Sequence, residues 1–570
     1  MKSVIFLMAI FSFVGNSFGQ EFYHQSVELD VEGTFGFPLW DGCGGISCAD
    51  FNQDGLDDLT FGTDPGQNIL FLENIGNKFV EVNPPFITNT HESKQLIWVD
   101  YEGDGDKDLF VVTWDSYNYL YENDGNMNFT DVTAAVNLPT IPKNSFGANF
   151  SDLNGDGYLE LYISNYGMPV PEENEMYTYN PQTHVFDDIT TSSNTSNGVR
   201  QSFCSVVLDY DNDGDLDFYI ANDRAQFENT LYMNIGGLYF VDVSVPSNTN
   251  IAIDAMNAGV GDADMDGDMD IYVTNGLTNG GAFSAYLENN GNSTFTEVAA
   301  SNGTIFDRLG WAGTFVDYDN DRDEDLYVST SSGQPSALFV NDGTGNFTEP
   351  LFATDGLDGR DTISTFSNAF GDFNNDGRND LVLGHGFVTD DFSVYINHEK
   401  NGNNYIKLKL EGTDSCIDAF GTIVETWIDG IKTISMKHST NGFVGQHSDY
   451  LNIGIGEGEV VDSLVIKWPF QGSIENIAGA NLLINGTTHI IENSGVSSTY
   501  KNPLCLLNHS VAVNPVASQN YGADLNLDCN SKIINGADVI FQAENEIILD
   551  IDFEVEQGAT FEAEINECGN

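Results

Sequence analysis

Apolar and polar positions alternate in short runs along most of this chain. Runs such as Leu96–Val99 and Gly313–Val316 precede an acidic loop, and runs such as Leu109–Val112 and Ile271–Val273 follow one. β-branched and aromatic runs of this length, bounded by Gly, Asn and Asp, are typical of strands. Most units then carry a further apolar run, a turn and a Phe. We therefore predict units of three or four antiparallel strands, with no helical periodicity of useful length.

The acidic loop has the form D-x-[DNE]-x-D-G-x-x-[DE] and occurs seven times. The loops start 50, 52, 57, 53, 55 and 55 residues apart, which marks a repeat. Units of about 50 residues with four strands are typical of propeller blades, because radial closure removes exposed strand edges. The prediction is an all-β chain with a seven-bladed β-propeller, a β-sandwich-like domain and a small C-terminal β module. An open solenoid is the structural alternative.

The loop chemistry favours calcium. Ca²⁺ takes six to eight hard oxygens, which side chains at positions 1, 3 and 5, a carbonyl at position 7 and a carboxylate at position 9 can supply. Glycine at position 6 permits the left-handed turn, and Mg²⁺ fits less well because it keeps its waters. The predicted cofactor is up to seven Ca²⁺ ions. The predicted ligands are Asp50, Asn52, Asp54, Leu56 and Asp58; Asp100, Glu102, Asp104, Asp106 and Asp108; Asp152, Asn154, Asp156, Tyr158 and Glu160; Asp209, Asp211, Asp213, Asp215 and Asp217; Asp262, Asp264, Asp266, Asp268 and Asp270; Asp317, Asp319, Asp321, Asp323 and Asp325; and Asp372, Asn374, Asp376, Arg378 and Asp380.

The seven loops differ in charge. The fourth and fifth offer four carboxylates each, whereas Asn52 and Asn374 lower the charge of the first and seventh. The sixth has Arg322 where glycine is expected, so we predict that this site is the weakest or empty. A single loop of this kind can also be a solvated acidic turn, but seven in phase argue against that alternative.

The charge balance excludes some partners. The chain has 570 residues, long enough for several domains, and its 19 basic and 87 acidic residues give a net charge of −68. Nucleic acid and anionic membranes need clustered Lys and Arg, so neither is expected as a partner. Because 41% of the residues are hydrophobic, the chain is expected to fold, not to stay disordered.

The N-terminus indicates export. Lys2, an apolar run from Val4 to Val14 and small residues near Gly19 describe a signal peptide over residues 1–19. No stretch approaches the ~20 apolar residues of a membrane span. Of seven cysteines, Cys43 and Cys48 are expected to pair by proximity, and two of the last three to pair with each other, as exported proteins often form disulfides.

The repeated loops and their flanking strands resemble the FG-GAP or VCBS repeats of integrin α-subunit heads and bacterial secreted proteins. The resemblance covers most of the segment 20–398 and departs from the pattern at Glu160 and Arg322. It implies Ca²⁺ in the loops on one face of the propeller, an extracellular place and adhesion, with partners often on the other face. It does not identify the ligand.

Residues 403–492 resemble the ASPIC/UnbV domain that follows such propellers in cartilage acidic protein and bacterial relatives. The matching positions are Gly412, Ala419–Gly421, Gly442 and Phe443 with Gln446, Asn452–Gly456, Asp462, Trp468, Pro469 and Gly472. The resemblance implies extracellular association and no known chemistry.

The last segment, 504–570, resembles a bacterial three-coathanger stack and follows a linker at 493–503. Its Gly536–Ala543 run and later Phe, Gly and Ala residues carry this resemblance. It implies a secreted or cell-surface protein of bacterial source, with possible surface association through this module.

A search for catalysis gives no candidate site. The one G-x-S-x-G, at Gly15–Gly19, lies in the signal peptide, and neither HExxH nor a phosphate loop occurs. We therefore predict no enzyme, but a calcium-stabilised propeller that binds an extracellular protein or glycan. The alternatives are a polysaccharide lyase or hydrolase on a propeller scaffold, since fold does not decide function, and a structural matrix protein.

Overall fold

The computed structural model describes residues 22–24 and 44–500, without 77, 85–86, 88, 277–282, 332–333, 350–363, 387–391, 399–400, 459 and 470–471. Beyond residue 500 it describes strands only. The predicted signal peptide at 1–19 lies outside the described residues. In the described part of the chain no helix is both long and apolar enough to span a membrane.

Seven antiparallel sheets follow one another as predicted, so the fold is an all-β, seven-bladed propeller; six have four strands, and the first has four strands extended by a fifth, parallel strand from the second domain. Strand β1 (Phe22–His24) comes first in the chain. The strands of blades one to three are β2 (Ile46–Ala49), β3 (Asp58–Phe61), β4 (Leu70–Asn74), β5 (Phe79–Val82), β6 (Ser93–Val99), β7 (Asp108–Thr113), β8 (Tyr119–Asn123), β9 (Phe129–Asp131), β10 (Ser145–Ser151), β11 (Glu160–Asn165), β12 (Glu175–Asn180) and β13 (Val185–Asp188).

The other four blades repeat this order. Their strands are β14 (Ser202–Leu208), β15 (Asp217–Asn222), β16 (Thr230–Asn234), β17 (Phe240–Asp242), β18 (Ala255–Gly261), β19 (Asp270–Asn275), β20 (Ala285–Asn289), β21 (Phe295–Glu297), β22 (Gly310–Val316), β23 (Asp325–Thr330), β24 (Ala337–Asn341), β25 (Phe347–Thr348), β26 (Ser364–Gly371), β27 (Asp380–Gly386) and β28 (Phe392–Asn397). One-turn helices lie between blades three and six: α1 (Thr190–Ser193), α2 (Ser244–Ser247) and α3 (Ala299–Asn302).

The first strand closes the ring. Strand β1 pairs antiparallel with β28, with Phe22 opposite Asn397, and so completes the seventh blade from the other end of the segment. The inner strands are buried almost throughout because they pack against their neighbours on both sides. At the junction of blades seven and one, the Ser367 hydroxyl donates to the Gly44 carbonyl at 3.1 Å.

The second domain is a β-sandwich of two four-stranded sheets. The strands are β29 (Asn404–Glu411), β30 (Ile423–Ile428), β31 (Ile431–Met436), β33 (Leu451–Gly456), β34 (Ser463–Lys467), β35 (Ile474–Ala478), β36 (Thr487–Ile491) and β37 (Gly495–Tyr500), with a 3-10 turn at Gly479–Asn481; β32 (Gly445–Gln446) lies outside both sheets. The sheet orders are β33-β29-β36-β37 and β31-β30-β34-β35. Leu408, Val424, Ile466 and Ile490 are among the buried residues of the core between them.

The linker predicted at 493–503 needs correction. Strand β37 lies within that range, yet it pairs with β36, with Thr487 opposite Tyr500. The sandwich therefore extends beyond residue 492. The sequence pattern did not indicate strand β37 because its residues are mostly polar, with Ser and Thr among them.

The last segment consists of short parallel strands. Strands β38 (Gln519–Ala523), β41 (Asp538–Ala543) and β44 (Thr560–Ile565) pair side by side, as do β39 (Asn526–Cys529) with β42 (Glu546–Leu549) and β40 (Lys532–Ile533) with β43 (Glu554–Val555). Parallel pairing at this spacing fits stacked coils. The resemblance to a three-coathanger stack stays a prediction.

A loop of the sandwich, residues 438–448, fills the centre of the propeller, and we call it the axial loop. Within it, β32 pairs in parallel with β2, with Ile46 opposite Gly445. The Phe443 ring is fully buried and lies 5.7 Å from the Phe203 ring and 5.1 Å from the Trp311 ring.

The axial loop contacts the remaining blades through hydrogen bonds. The Phe150 N–H donates to the Ser439 hydroxyl at 2.9 Å, and the Asn441 amide donates to the Val260 carbonyl at 3.4 Å. The Ser448 N–H donates to the Phe370 carbonyl at 3.0 Å. Because the loop reaches all seven blades, the two domains form one packed unit.

The cysteines do not form the expected bond. Cys48, Cys204 and Cys416 are free and buried. The expectation that Cys48 pairs with Cys43 is therefore wrong; Cys43 itself lies outside the described residues. Burial raises the pKa of the Cys204 thiol to about 12, so this thiol is an inert part of the core.

Candidate metal centres

Each acidic loop joins the innermost strand of a blade to the second strand, and all seven loops curl in the same way. The N–H of position 6 donates to the position-1 carboxylate in every loop, for example Gly214 to Asp209 at 3.1 Å. The N–H of position 7 donates to the position-5 carboxylate, for example Asp215 to Asp213 at 2.9 Å. These bonds turn the oxygens of positions 1, 3 and 5 inward.

Position 6 adopts a left-handed backbone, as predicted. The φ angles are +94° at Gly214 and +90° at Gly267. Arg322 holds the same place in the sixth loop with φ +93°. Because a side chain costs about 1–2 kcal/mol in this conformation, the sixth loop is strained where its neighbours are not.

Four loops bring three carboxylates together. Their oxygens lie within 4.8 Å of one another; the residues are Asp100, Glu102 and Asp108; Asp209, Asp211 and Asp217; Asp262, Asp264 and Asp266; and Asp317, Asp319 and Asp325. The first, third and seventh loops have Asn52, Asn154 and Asn374 at position 3, which replaces one carboxylate by an amide oxygen. The converging carboxylates are those of positions 1, 3 and 9 in the second, fourth and sixth loops, and those of positions 1, 3 and 5 in the fifth.

Several of these oxygens are buried without a protein partner. Among them are Glu102 Oε2, Asn154 Oδ1, Asp211 Oδ1 and Asp372 Oδ1. A buried polar atom without a hydrogen bond is costly, and an unpaired buried charge more so. Hard oxygens that converge on one point and accept no hydrogen bond from the protein are well suited to bind a calcium ion.

The same crowding perturbs the carboxyl groups. Burial raises the pKa of Asp100, Asp152 and Asp262 to about 7. Burial, together with repulsion from Asp319 and Asp321, raises the pKa of Asp317. Ionised carboxylates are therefore disfavoured in the folded loops, and a bound cation would offset that cost.

An asparagine that the sequence analysis did not single out fixes the loops to one another. In the fourth blade the Asn234 N–H donates to Asp217 at 2.7 Å, and its side-chain amide donates to the carbonyls of Leu216 at 3.1 Å and Leu153 at 2.8 Å. Leu153 belongs to the preceding blade. The equivalent residues Asn74, Asn289, Asn341 and Asn397 repeat this bridge. In the sequence, this residue is recognisable as the Asn that ends the third strand of each blade.

The sandwich covers the face that carries the acidic loops. The Asp100 N–H donates to Asp418 at 2.7 Å, and Lys107 reaches Asp418 at 2.6 Å and Asp449 at 3.0 Å. Gly454 lies so close to the sixth loop that a Cβ would meet Asp317 Oδ2 at 2.1 Å. The family positions Gly442, Phe443, Gln446 and Gly454 are thus contact residues between the domains.

Not every predicted residue offers a side-chain ligand. Leu56, Tyr158 and Arg378 occupy position 7, where the predicted ligand is the backbone carbonyl oxygen. The Arg378 guanidinium lies 3.8 Å from Asp376 Oδ2, so it opposes a cation in the seventh loop. Arg378 was a predicted ligand because of its place in the loop pattern, and nothing in the sequence indicated this ion pair.

The comparisons with known proteins agree with this architecture. A family described as "FG-GAP-like repeat" matches residues 50–111, 100–163, 209–273 and 317–383. A family described as "ASPIC and UnbV" matches residues 412–497.

Among curated relatives, cartilage acidic protein 1 of Mus musculus is 25% identical over 190 residues, covering 32% of this chain and 29% of the relative. That of Homo sapiens is 23% identical over 190 residues, covering 32% of this chain and 28% of the relative. The chain thus spans less than a third of the length of these relatives.

Two solved structures are similar at low identity. BBS1N in complex with ARL6DN aligns at 10% identity with a TM-score of 0.40, over 64% of this chain and 94% of that chain. An Agrocybe aegerita lectin that recognises non-reducing terminal N-acetylglucosamine aligns at 16% identity with a TM-score of 0.34, over 54% of this chain and 80% of that chain. From the repeats, the sandwich and the family matches, the chain carries FG-GAP repeats in a β-propeller followed by an ASPIC/UnbV domain, with weak similarity to cartilage acidic protein 1.

Proposed function

We propose that this chain is a secreted, calcium-binding propeller that binds a protein or glycan outside the cell. The observation that carries the calcium part is the set of buried loop oxygens without protein partners, such as Glu102 Oε2 and Asp211 Oδ1. The extracellular place is supported by the N-terminal sequence and by the similarity to cartilage acidic protein 1. A bacterial source is part of the same proposal.

Calcium acts as a structural ion in this proposal. Each loop holds carboxylates whose mutual repulsion opposes folding, and the ion neutralises them and fixes the turn. Binding free energy thereby becomes folding free energy. Because extracellular calcium is near millimolar, sites with Kd of about 10⁻⁴–10⁻³ M are sufficient.

We propose that the ligand binds away from the loops, since the sandwich covers them. The segment Trp114–Asn118, at the opposite ends of the strands, is the predicted contact. Its Trp114 ring is partly exposed and packs against Phe146 at 5.2 Å, which gives a rigid aromatic platform. Rigid aromatic groups bind protein and sugar surfaces at low entropic cost.

We also propose that the chain is not an enzyme. His438 and His447 line a cavity of about 160 Å³ between the domains. Burial lowers the pKa of His438 to about 3 and of His447 to about 4, and the His447 Nδ1 atom accepts the Phe370 N–H at 3.0 Å. A ring fixed in this way suits a structural role better than general-base catalysis, for which a pKa near the working pH is best.

Thermal unfolding of the mature chain across a calcium titration, with magnesium and EDTA as controls, tests the calcium proposal. A large rise in Tm with calcium, little matched by magnesium, supports it; no shift overturns it. Binding of the calcium-loaded chain to a defined glycan panel and to purified extracellular proteins tests the ligand part. The Trp114→Ala variant tests the proposed contact. Binding by this variant that equals binding by the wild type contradicts it.

A further inference from the structure

The seventh loop already contains a cation supplied by the protein. Lys407, on β29 of the sandwich, places its Nζ atom 2.9 Å from Asp372 Oδ2 and 2.9 Å from Asn375 Oδ1. Both side chains of the ion pair are 2% exposed. The Tyr450 ring covers the ammonium group at 4.8 Å from its centroid. This is a buried, charge-assisted contact to position 1 of an acidic loop.

A second positive group lies in the same loop. The Arg378 guanidinium is 3.8 Å from Asp376 Oδ2, and the Asn374 amide donates to the same oxygen at 3.1 Å. Of the three loop carboxylates, two are therefore engaged by groups of the protein. The third, Asp380, accepts the N–H groups of Phe373 at 2.8 Å and Asn397 at 2.7 Å.

The two N–H donors to the position-9 carboxylate recur in other loops, for example from Tyr210 and Asn234 to Asp217, but the lysine contact does not. In the ion pairs of the described residues, Asp372 is the position-1 aspartate that an ammonium group contacts. Lys107, at position 8 of the second loop, contacts Asp418 and Asp449 and not the position-1 aspartate, and Lys467 near the fourth loop pairs with Glu425 at 2.9 Å. The loops with three converging carboxylates are the second, fourth, fifth and sixth, not the seventh.

We propose that Lys407 takes the place of calcium in the seventh loop. Its ammonium group neutralises Asp372, and a divalent ion brought to the same aspartate meets two fixed positive charges, Lys407 and Arg378. Like charges a few ångströms apart in a buried site repel strongly. The loop therefore keeps its shape without metal, and at most six of the seven loops take calcium.

This inference rests on the proposed calcium function and adds a division among the sites. Because Lys407 belongs to the sandwich, its ion pair joins the two domains at any calcium concentration. One feature of the loop would still accommodate an ion: Asp372 Oδ1 is buried without a partner. The number of bound ions decides between the two arrangements.

The test counts calcium bound to the full chain by native mass spectrometry, with terbium luminescence as a second readout. Lys407→Met keeps an unbranched side chain, one atom shorter, and removes its charge, whereas Lys407→Arg keeps the charge. We expect Lys407→Met to bind one more calcium ion than the wild type, and Lys407→Arg the same number. An unchanged count in Lys407→Met overturns the assignment.

A second pair of variants covers the case in which Lys407→Met fails to fold. Asp372→Asn is expected to leave the number of bound ions unchanged, whereas Asp211→Ala in the fourth loop lowers it by one. If Asp372→Asn binds one calcium ion fewer than the wild type, the proposed role of Lys407 is wrong, but the proposed function is not affected. Absence of bound calcium from the wild type and every variant overturns the proposed function, and this inference with it.

Discussion

Gln446 and Trp98 exchange two hydrogen bonds in the centre of the propeller. The Trp98 N–H donates to Gln446 Oε1 at 2.9 Å, and Gln446 Nε2 donates to the Trp98 carbonyl at 2.9 Å. A side-chain amide thus pairs with the backbone of an inner strand as a neighbouring strand would. The Ser47 hydroxyl also donates to Gln446 Oε1, at 2.6 Å, which ties blades one and two to the same residue.

Phe443→Ala should destabilise the whole chain. The ring is fully buried among aromatic side chains, and Phe→Ala in a core costs about 3–5 kcal/mol. We expect a lower midpoint in urea unfolding followed by fluorescence. Phe283→Ala is the control, since its side chain is 48% exposed, and it should change the free energy of unfolding by no more than about 0.5 kcal/mol. Equal midpoints for the two variants would show that the axial loop does not stabilise the ring.

Asn234→Ala should loosen the contact between blades three and four. The variant leaves the buried carbonyls of Leu153 and Leu216 without the donors they have now, at about 1–3 kcal/mol for an unsatisfied group. Differential scanning calorimetry should show a lower Tm. Asn292→Ala, in an exposed turn, serves for comparison. A Tm equal to that of the wild type would contradict the bridging role.

Arg322→Gly should stabilise the sixth loop. Glycine removes the strain of a left-handed arginine, about 1–2 kcal/mol, and removes a positive charge that acts on Asp321 of the same loop. We expect a higher Tm in the presence of calcium. In isothermal titration calorimetry, we expect the lowest-affinity calcium site to bind more tightly. The reverse change, Gly214→Arg in the fourth loop, should act in the opposite direction. A weaker sixth site in Arg322→Gly would refute the strain argument.

Asp211→Ala should remove one calcium site and little else. Asp211 Oδ1 has no protein partner, so its loss breaks no hydrogen bond at that atom, and it relieves repulsion with Asp213. The rise in Tm on adding calcium should shrink, while the Tm in EDTA stays equal or increases. Asp307→Asn, at a side chain that is 72% exposed, should leave both values unchanged. An undiminished calcium response would argue against the fourth loop as a site.

The stability of the interface between the domains should fall in acid through His447. Burial lowers its pKa to about 4, below the ~6.5 of an unfolded chain, so the folded state prefers the neutral ring. The contribution is complete above pH 6.5 and is lost as the pH falls from about 6.5 to about 4. Other charged or titratable groups line the same cavity: Asp262, Asp317, Arg322, Glu324, Lys437 and His438.

Because those groups titrate as well, the measurement is the difference between two proteins. The free energy of unfolding of the wild type and of His447→Gln, each followed from pH 7.5 to pH 4, should diverge in slope, with a flatter profile for the variant. Parallel profiles would assign the acid sensitivity to the other groups of the cavity.

The repeat made the fold and the clustering of acidic side chains in the loops predictable, because local sequence decides both. Each loop carries its own turn residue and its own oxygens, so Asp209 and Asp217 are recognisable from nine consecutive positions. Lys407, Gln446 and Phe443 are different: their partners lie in another domain. Such contacts depend on how two surfaces meet, and a single sequence contains no local signal for them.

The pairing of β1 with β28 has a consequence for the order of assembly. The seventh blade consists of three strands from the end of the propeller segment and one from its beginning, so it stays incomplete until Asn397 has been synthesised. Contacts between such distant residues form slowly, because a long loop must close first. The nascent propeller therefore remains an open arc until then, and we expect the pairing of its first strand with its last to be a late step of folding.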